Sequence, residues 1–232
     1  ITKYYNFIKY CLQPESYFLN YVDVHKKFTK QNSENLADSN GRAIWALGYL
    51  ISNSDILPID LVESAKETMQ FALVNVCKIH SPRAMAFIIK GIYYSNLKFP
   101  SDDNILILKH LADKLVQMYK YENDENWHWY ESYLTYGNSI LPEAMLCAYL
   151  TTENENYKTI AKTSFDFLLS KIFINDVIKV VSNKGWLQNN KENINEQIGG
   201  EQPIDVSYSI IALSKFYDVF HEEEKKIQSS KF

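Results

Sequence analysis

The stretch Gly41-Arg42-Ala43-Ile44-Trp45-Ala46-Leu47-Gly48 decides the fold, because it returns in altered form as Pro82-Arg83-Ala84-Met85-Ala86-Phe87. Both copies place Arg-Ala one residue into an apolar run with helical spacing. They lie about 41 residues apart, roughly the length of one helix-turn-helix hairpin. A chain that repeats at this period is built from paired helices. Working outward, apolar spacing predicts helices over 2–12, 40–53, 59–79, 82–97, 103–121, 139–151, 155–172 and 204–220. The 7 Gly and 6 Pro fall mostly between these stretches, as helix punctuation does. Val177-Ile178-Lys179-Val180-Val181 is the one run that reads as a strand, inside a long connection. The class is all-α.

The helices divide into two kinds. Those starting near 40, 82, 139 and 204 are rich in Ala, Ile, Leu, Trp and Tyr around much of their circumference. Those near 59, 103 and 155 carry a charged face, with Glu63, Lys66 and Glu67 on the first. The first set is expected to be inner and the second outer. Alternating inner and outer helices build an open α-solenoid or a closed α/α toroid. Polar residues cluster at one end of every inner helix: Asp38, Ser39 and Arg42; Ser81 and Arg83; Glu131, Tyr136 and Asn138; Glu201, Gln202 and Asp205. On a ring of parallel helices these groups converge on one rim, which favours the toroid. The simpler alternative is that Ser39, Ser81 and Asn138 are N-caps and that Pro82, Pro142 and Pro203 only start helices.

With 232 residues, one domain over 1–232 is the expectation. A 14% share of aromatic residues leaves many rings to place on surfaces or in a cleft. A net charge of -4 argues against a nucleic-acid partner, which would want a concentrated basic face. Cys11, Cys77 and Cys147 form no CxxC unit and each lies in an apolar stretch, so they read as buried thiols of a reducing compartment. No run is long enough to span a bilayer and the start lacks signal-peptide organisation, so a cytoplasmic protein without a membrane partner is expected. The chain begins without Met and opens and closes on helices, which suggests a piece of something longer.

The densest chemistry lies in Trp127-His128-Trp129-Tyr130-Glu131-Ser132-Tyr133-Leu134-Thr135-Tyr136-Gly137-Asn138. Several rings around one carboxylate offer flat faces for sugar C–H surfaces and polar tips for hydroxyls. A carboxyl set among rings loses water, which suits a proton donor working near neutrality. The competing reading packs Trp127 and Trp129 against the outer layer and leaves Glu131 to cap a turn. A second cluster joins Asn183-Lys184-Gly185-Trp186 to Gly199-Gly200-Glu201-Gln202-Pro203-Ile204-Asp205. Glycoside cleavage normally needs two carboxyl groups, and Glu131 with Asp205 or Glu201 supplies such a pair. Asp205 is equally at home as a first-turn carboxylate facing the helix dipole. Nucleotide, serine-hydrolase and zincin motifs are absent from the sequence. His128 and Glu131 have HxxE spacing without a second clear ligand, so no metal and no cofactor is expected.

Four strings, in the same order, resemble a known family: Asp38-Ser39-Asn40-Gly41-Arg42-Ala43, Ser81-Pro82-Arg83-Ala84, Trp129-Tyr130-Glu131 with Leu134-Thr135-Tyr136-Gly137-Asn138-Ser139-Ile140-Leu141-Pro142, and Glu201-Gln202-Pro203-Ile204-Asp205. They look like the six-hairpin, α/α-toroid domain found alone or attached to bacterial glycosyltransferases. The resemblance spans about residues 15 to 220. It implies a toroid, here with about four of six hairpins, and a role on an oligosaccharide or polysaccharide. The broader superfamily holds glycoside hydrolases, polysaccharide lyases and sugar epimerases. Two positions depart from the pattern: Gly137 stands where an acidic residue is expected, and Glu201 where Gln is usual.

The leading expectation is therefore a glycosidase-like domain. Glu131 is the general acid and Asp205 its partner. Trp127, Trp129, Tyr136 and Trp186 are sugar platforms, and Asp38, Arg42, Arg83, Asn138, Glu201 and Gln202 contact hydroxyls or carboxylates. The alternatives are a non-catalytic glycan-binding or accessory domain of an attached glycosyltransferase, a sugar epimerase using cavity histidines, and a helical-repeat scaffold for protein partners.

Overall fold

The computed structural model describes residues 1–33, 35–175, 177–182, 186–189 and 199–229, with residues 222–229 as backbone only. The chain is all-α. Its helices are α1 (Thr2–Cys11), α2 (Ala37–Ser52), α3 (Ile59–Ala72), α4 (Pro82–Asn96), α5 (Asp102–Glu122), α6 (Ile140–Thr152), α7 (Glu155–Ile172) and α8 (Pro203–Ser229). Among the described residues four two-residue strands accompany them: β1 (Tyr133–Leu134), β2 (Phe173–Ile174), β3 (Val177–Ile178) and β4 (Leu187–Gln188). Residues 1–115 with 150–153 form one compact unit, and residues 116–149 with 154–232 form a second.

In the first unit α2 and α4 lie in direct backbone contact and run the same way. A Cβ placed on Gly41 would meet the Ala84 carbonyl oxygen at 2.7 Å, and one on Gly48 would meet that of Gly91 at 2.0 Å. The partners are 43 residues apart in both cases, so the repeat seen in the sequence is a physical register. Only glycine lets two helices approach this closely. Trp45 stacks on Phe87 at 5.5 Å between ring centroids, and Tyr49 meets Tyr94 edge-on at 5.3 Å, extending the contact along the pair. Ser81 caps α4, accepting from the Ala84 N–H at 3.3 Å, with Pro82 in the first helical position.

α4 is buried almost all round, as an inner helix should be, whereas α3 keeps Glu63 and Glu67 in solvent. The charged face of α3 ends sooner than its apolar spacing suggested. The helix expected over 59–79 gives way after Ala72 to a 3-10 segment, Leu73–Lys78, where Val74, Asn75 and Val76 are poor α-helix formers. Helix α1 docks on α3 through the Tyr5 hydroxyl, which donates to Ser64 at 2.7 Å and lies 3.0 Å from Thr68 Oγ1. The loop after α1 is pinned by Asn40, whose amide accepts from the Phe18 N–H at 2.6 Å and donates to the Phe18 carbonyl at 2.9 Å.

In the second unit α6 is buried from Ile140 through Ala148, which marks it as the inner helix there. α7 is amphipathic, with Phe165, Phe167 and Leu168 buried and the Lys162–Asp166 ion pair in solvent. The strand expected over 177–181 shrinks to Val177–Ile178. It forms a hairpin with Phe173–Ile174 around Asn175, whose φ of +50° suits the tight turn. α8 continues to Ser229, past its expected end at 220, because His221-Glu222-Glu223-Glu224-Lys225-Lys226 is made largely of good helix formers.

The expectation of three buried thiols fails at one position. Cys11 and Cys147 are buried, and burial pushes the Cys11 thiol above its usual range. Cys77 is exposed, because the 3-10 segment turns it away from the packed side of α3. No described helix is long and apolar enough to cross a membrane.

Candidate functional site

The segment 127–138 lies between α5 and α6 with only the two-residue β1 as regular structure, and its side chains divide into a packed half and an open half. Trp127 is 4% exposed and Trp129 is 0% exposed. Their faces are taken up by Phe167 of α7, edge-on to Trp127 at 5.0 Å and tilted on Trp129 at 6.2 Å, and by Tyr130, edge-on to Trp129 at 5.3 Å. Trp127 and Trp129, expected as sugar platforms, are buried with their rings against Phe167 and so offer no open face. Tyr130 is fully buried as well, its hydroxyl 2.9 Å from Ser164 Oγ, and burial drives its phenol far above the ordinary range. These three rings form the wall behind the site.

What they hold in place is the Glu131 backbone. Trp127 Nε1 donates to the Glu131 carbonyl at 2.7 Å, closing the loop over four residues. Glu131 itself is 9% exposed, one of three acidic residues buried among the described residues of this unit, with Glu143 and Asp205. Immediately after it, Tyr133 and Leu134 form β1 and pair antiparallel with Gln188 and Leu187 of β4. The ladder continues where the Asn189 N–H donates to the Ser132 carbonyl at 2.8 Å. This pairing brings Trp186 onto Tyr133, ring centroids 5.1 Å apart and tilted by 30°. Trp186 is 44% exposed and Tyr136 37% exposed, so their rings, unlike Trp127 and Trp129, have face to offer a ligand. Asn183, Lys184 and Gly185, expected beside Trp186, lie outside the described residues.

The turn into α6 is built by Asn138, Gly137 and Asp205. Asn138 Oδ1 accepts from the Thr135 N–H at 3.1 Å while its Nδ2 donates to the Thr135 carbonyl at 2.8 Å, so Asn138 is committed to the turn. Gly137 has φ +58°, a left-handed conformation that glycine adopts without strain. The Gly137 N–H donates to Asp205 Oδ1 at 2.5 Å. Asp205, 6% exposed, sits in the first turn of α8, where the helix dipole favours a carboxylate. Ser209, one turn on, lies 3.5 Å from Ser139 and donates to the Asp205 carbonyl at 2.8 Å. The N-terminal ends of α6 and α8 are thus side by side, with Glu201 and Gln202 exposed just before α8.

The first unit holds its own polar group at paired helix starts. Asp38 accepts from the Ser81 hydroxyl at 2.6 Å, tying α2 to α4. Arg42 is exposed with its guanidinium 5.1 Å from the Phe87 ring centroid, and Arg83 is buried. Two charged residues escaped the sequence reading. Lys90 is completely buried in α4 with its ammonium 3.9 Å from the Trp45 ring centroid, and Glu143 is completely buried in the first turn of α6. The signal was present in each case as a single charge inside an apolar run, Ile88-Ile89-Lys90-Gly91-Ile92 and Ile140-Leu141-Pro142-Glu143-Ala144.

His128 Nδ1 lies 2.9 Å from Asn123 Oδ1, and among the described residues no group of three or more His, Cys, Asp or Glu is placed to hold a metal ion. No family model matches the sequence, and no curated protein matches it.

Proposed function

We propose that the chain is a carbohydrate-active domain of the six-hairpin, α/α-toroid kind, and that it takes an oligosaccharide at the adjoining starts of α6 and α8. The observation that carries this reading is the open half of the 127–138 segment. The half-exposed rings of Trp186 and Tyr136 flank a loop that holds the nearly buried Glu131, with Asp205 tied to the same loop. Exposed ring faces next to desolvated carboxylates suit a sugar, whose C–H surface stacks and whose hydroxyls need acceptors. In this reading Glu131 donates a proton to the leaving oxygen as the glycosidic bond breaks, and water adds to the anomeric carbon, giving its proton to Asp205. Asn138 and Asp205 shape the loop that presents it.

The parallel α2–α4 pair with α3 returning between them supports the toroid part of the proposal, since repeated hairpins with like-directed inner helices are its building unit. The proposed sugar site rests on the second unit alone.

A non-catalytic glycan-binding role, alone or beside an attached glycosyltransferase, is favoured by one specific fact: an oxygen of Asp205 is already engaged by the Gly137 N–H. Such a carboxylate positions a loop and is less available as the second catalytic group. Incubating wild type and Glu131→Gln with a panel of oligosaccharides, and following both binding and product, separates the two. Catalysis predicts turnover that falls at least about a hundredfold in the variant with binding retained, the ordinary worth of a general acid. Binding without any product in wild type assigns the accessory role.

A further inference from the structure

Residues 1–30 differ in chemistry from the rest of the chain. They hold five lysines against two acids, Glu15 and Asp23, in a chain whose net charge is -4, and eight of them are Tyr or Phe. Some of these rings pack inward, Tyr5 and Phe18 being buried. Tyr4, Phe7 and Tyr10 are exposed instead. Helical spacing puts these three and Lys3 within about a third of the circumference of α1.

The loop that follows α1 adds an apolar point to this face. Tyr10 stacks on Phe28, ring centroids 5.2 Å apart, and its hydroxyl donates to the Lys26 carbonyl. Between them the chain folds back tightly. Val22 and Phe28 form an antiparallel bridge, and the Asp23 N–H donates to the Lys27 carbonyl at 2.9 Å. Asp23 Oδ1 accepts from the N–H groups of His25 and Lys27, each at 2.8 Å, so this acid is committed to the turn. The turn is therefore held by its own backbone, and Val24 at its tip is 93% exposed, with His25, Lys26 and Lys27 in solvent beside it. Single exposed apolar residues are ordinary. Here the Tyr10–Phe28 stack joins the helix face and the loop tip into one surface.

We propose that this surface docks on an anionic lipid bilayer, with Tyr4, Phe7 and Tyr10 at headgroup level, Val24 entering the acyl boundary, and Lys3, Lys26 and Lys27 against the negative headgroups. Tyrosine has an apolar body and a polar tip, which suits the boundary between water and lipid. Lysines beside it are drawn to an anionic leaflet. A protein partner is the poorer match, because lysine is depleted in protein interfaces, whereas aromatic residues beside lysine are the composition of an interfacial anchor. The docking is peripheral and needs no spanning helix.

Co-sedimentation of the full chain with vesicles at low salt tests this, using phosphatidylcholine alone and phosphatidylcholine with about one-third phosphatidylserine. Binding to the anionic vesicles is expected, at least about tenfold stronger than to the neutral ones and weakened by added salt. Lys26→Gln with Lys27→Gln is expected to weaken it by about tenfold or more. Tyr4→Ser with Val24→Ser is expected to weaken it by about tenfold. Unfolding temperatures should not change in either double variant, because all four side chains lie in solvent. No binding to anionic vesicles, equal binding to both compositions, or an affinity unchanged by both double variants overturns the proposal. So does self-association without lipid that Tyr4→Ser with Val24→Ser removes, which assigns the surface to a second copy of the chain. Because this surface and the 127–138 segment share no residue, the result is independent of the oligosaccharide reading.

Discussion

Gly137 shows how one backbone angle can outweigh a motif. The resemblance places an acid at this position, yet φ +58° makes any side chain there strained, and the N–H it presents is the one that Asp205 accepts. Gly137→Ala is expected to destabilise the second unit by about 1–2 kcal/mol, the cost of a left-handed non-glycine residue, with Gly137→Asn losing less. Thermal unfolding of the two variants checks both the size and the order. Tyr130 makes a pH-dependent claim. Its folded phenol is held protonated by burial, whereas in the unfolded chain it ionises at about pH 10. Its contribution is therefore fully present below about pH 10 and is lost as pH rises beyond that value. Tyr130→Phe should lose stability less steeply than wild type between about pH 9 and 11 in urea titrations. An identical slope in both proteins would remove Tyr130 from the account. Tyr119 is shifted the same way by burial and stays in both, so some alkaline loss persists.

At the scale of elements, the α2–α4 contact is the feature on which the first unit depends most. Alanine normally stabilises a helix by about 1 kcal/mol over glycine. At Gly48 the added methyl would meet the Gly91 carbonyl oxygen at 2.0 Å, against backbone that cannot turn aside. Gly48→Ala is thus expected to cost a net of roughly 2 kcal/mol or more, read as a lower urea midpoint. A gain in stability would mean that the helices are not held this close. The same contact shows what sequence could reveal. Gly41-Arg42-Ala43 and Pro82-Arg83-Ala84 announced the repeat, and apolar spacing located all eight helices to within a few residues except where local chemistry intervened. Val74-Asn75-Val76 turned one helix end into a 3-10 segment, and the basic-acidic tail after His221 lengthened another.

Long-range pairing was not legible. Nothing in Tyr133-Leu134 or Leu187-Gln188 foretells that they form a ladder, because two-residue strands have no periodicity to read. That ladder decides which rings are open. Trp127 and Trp129 drew attention as aromatic residues, but their fate was set by Phe167, about 40 residues on in sequence, which a local reading does not weigh.

For the whole molecule, the all-α architecture and the parallel α2–α4 pair stand on the structure, and the carbohydrate role is the claim to be tested. Its prediction is local: the ligand meets Trp186, the most exposed of the rings gathered around Glu131, while the buried Trp127 and Trp129 report nothing directly. The most direct measurement is a calorimetric titration of wild type and Trp186→Ala against an oligosaccharide panel, with unfolding temperatures taken alongside. The account predicts that at least one oligosaccharide binds wild type and that its affinity falls about tenfold or more in the variant at unchanged unfolding temperature, as loss of a stacking ring requires. Binding that is the same in both proteins, or absent from wild type across the panel, would contradict it.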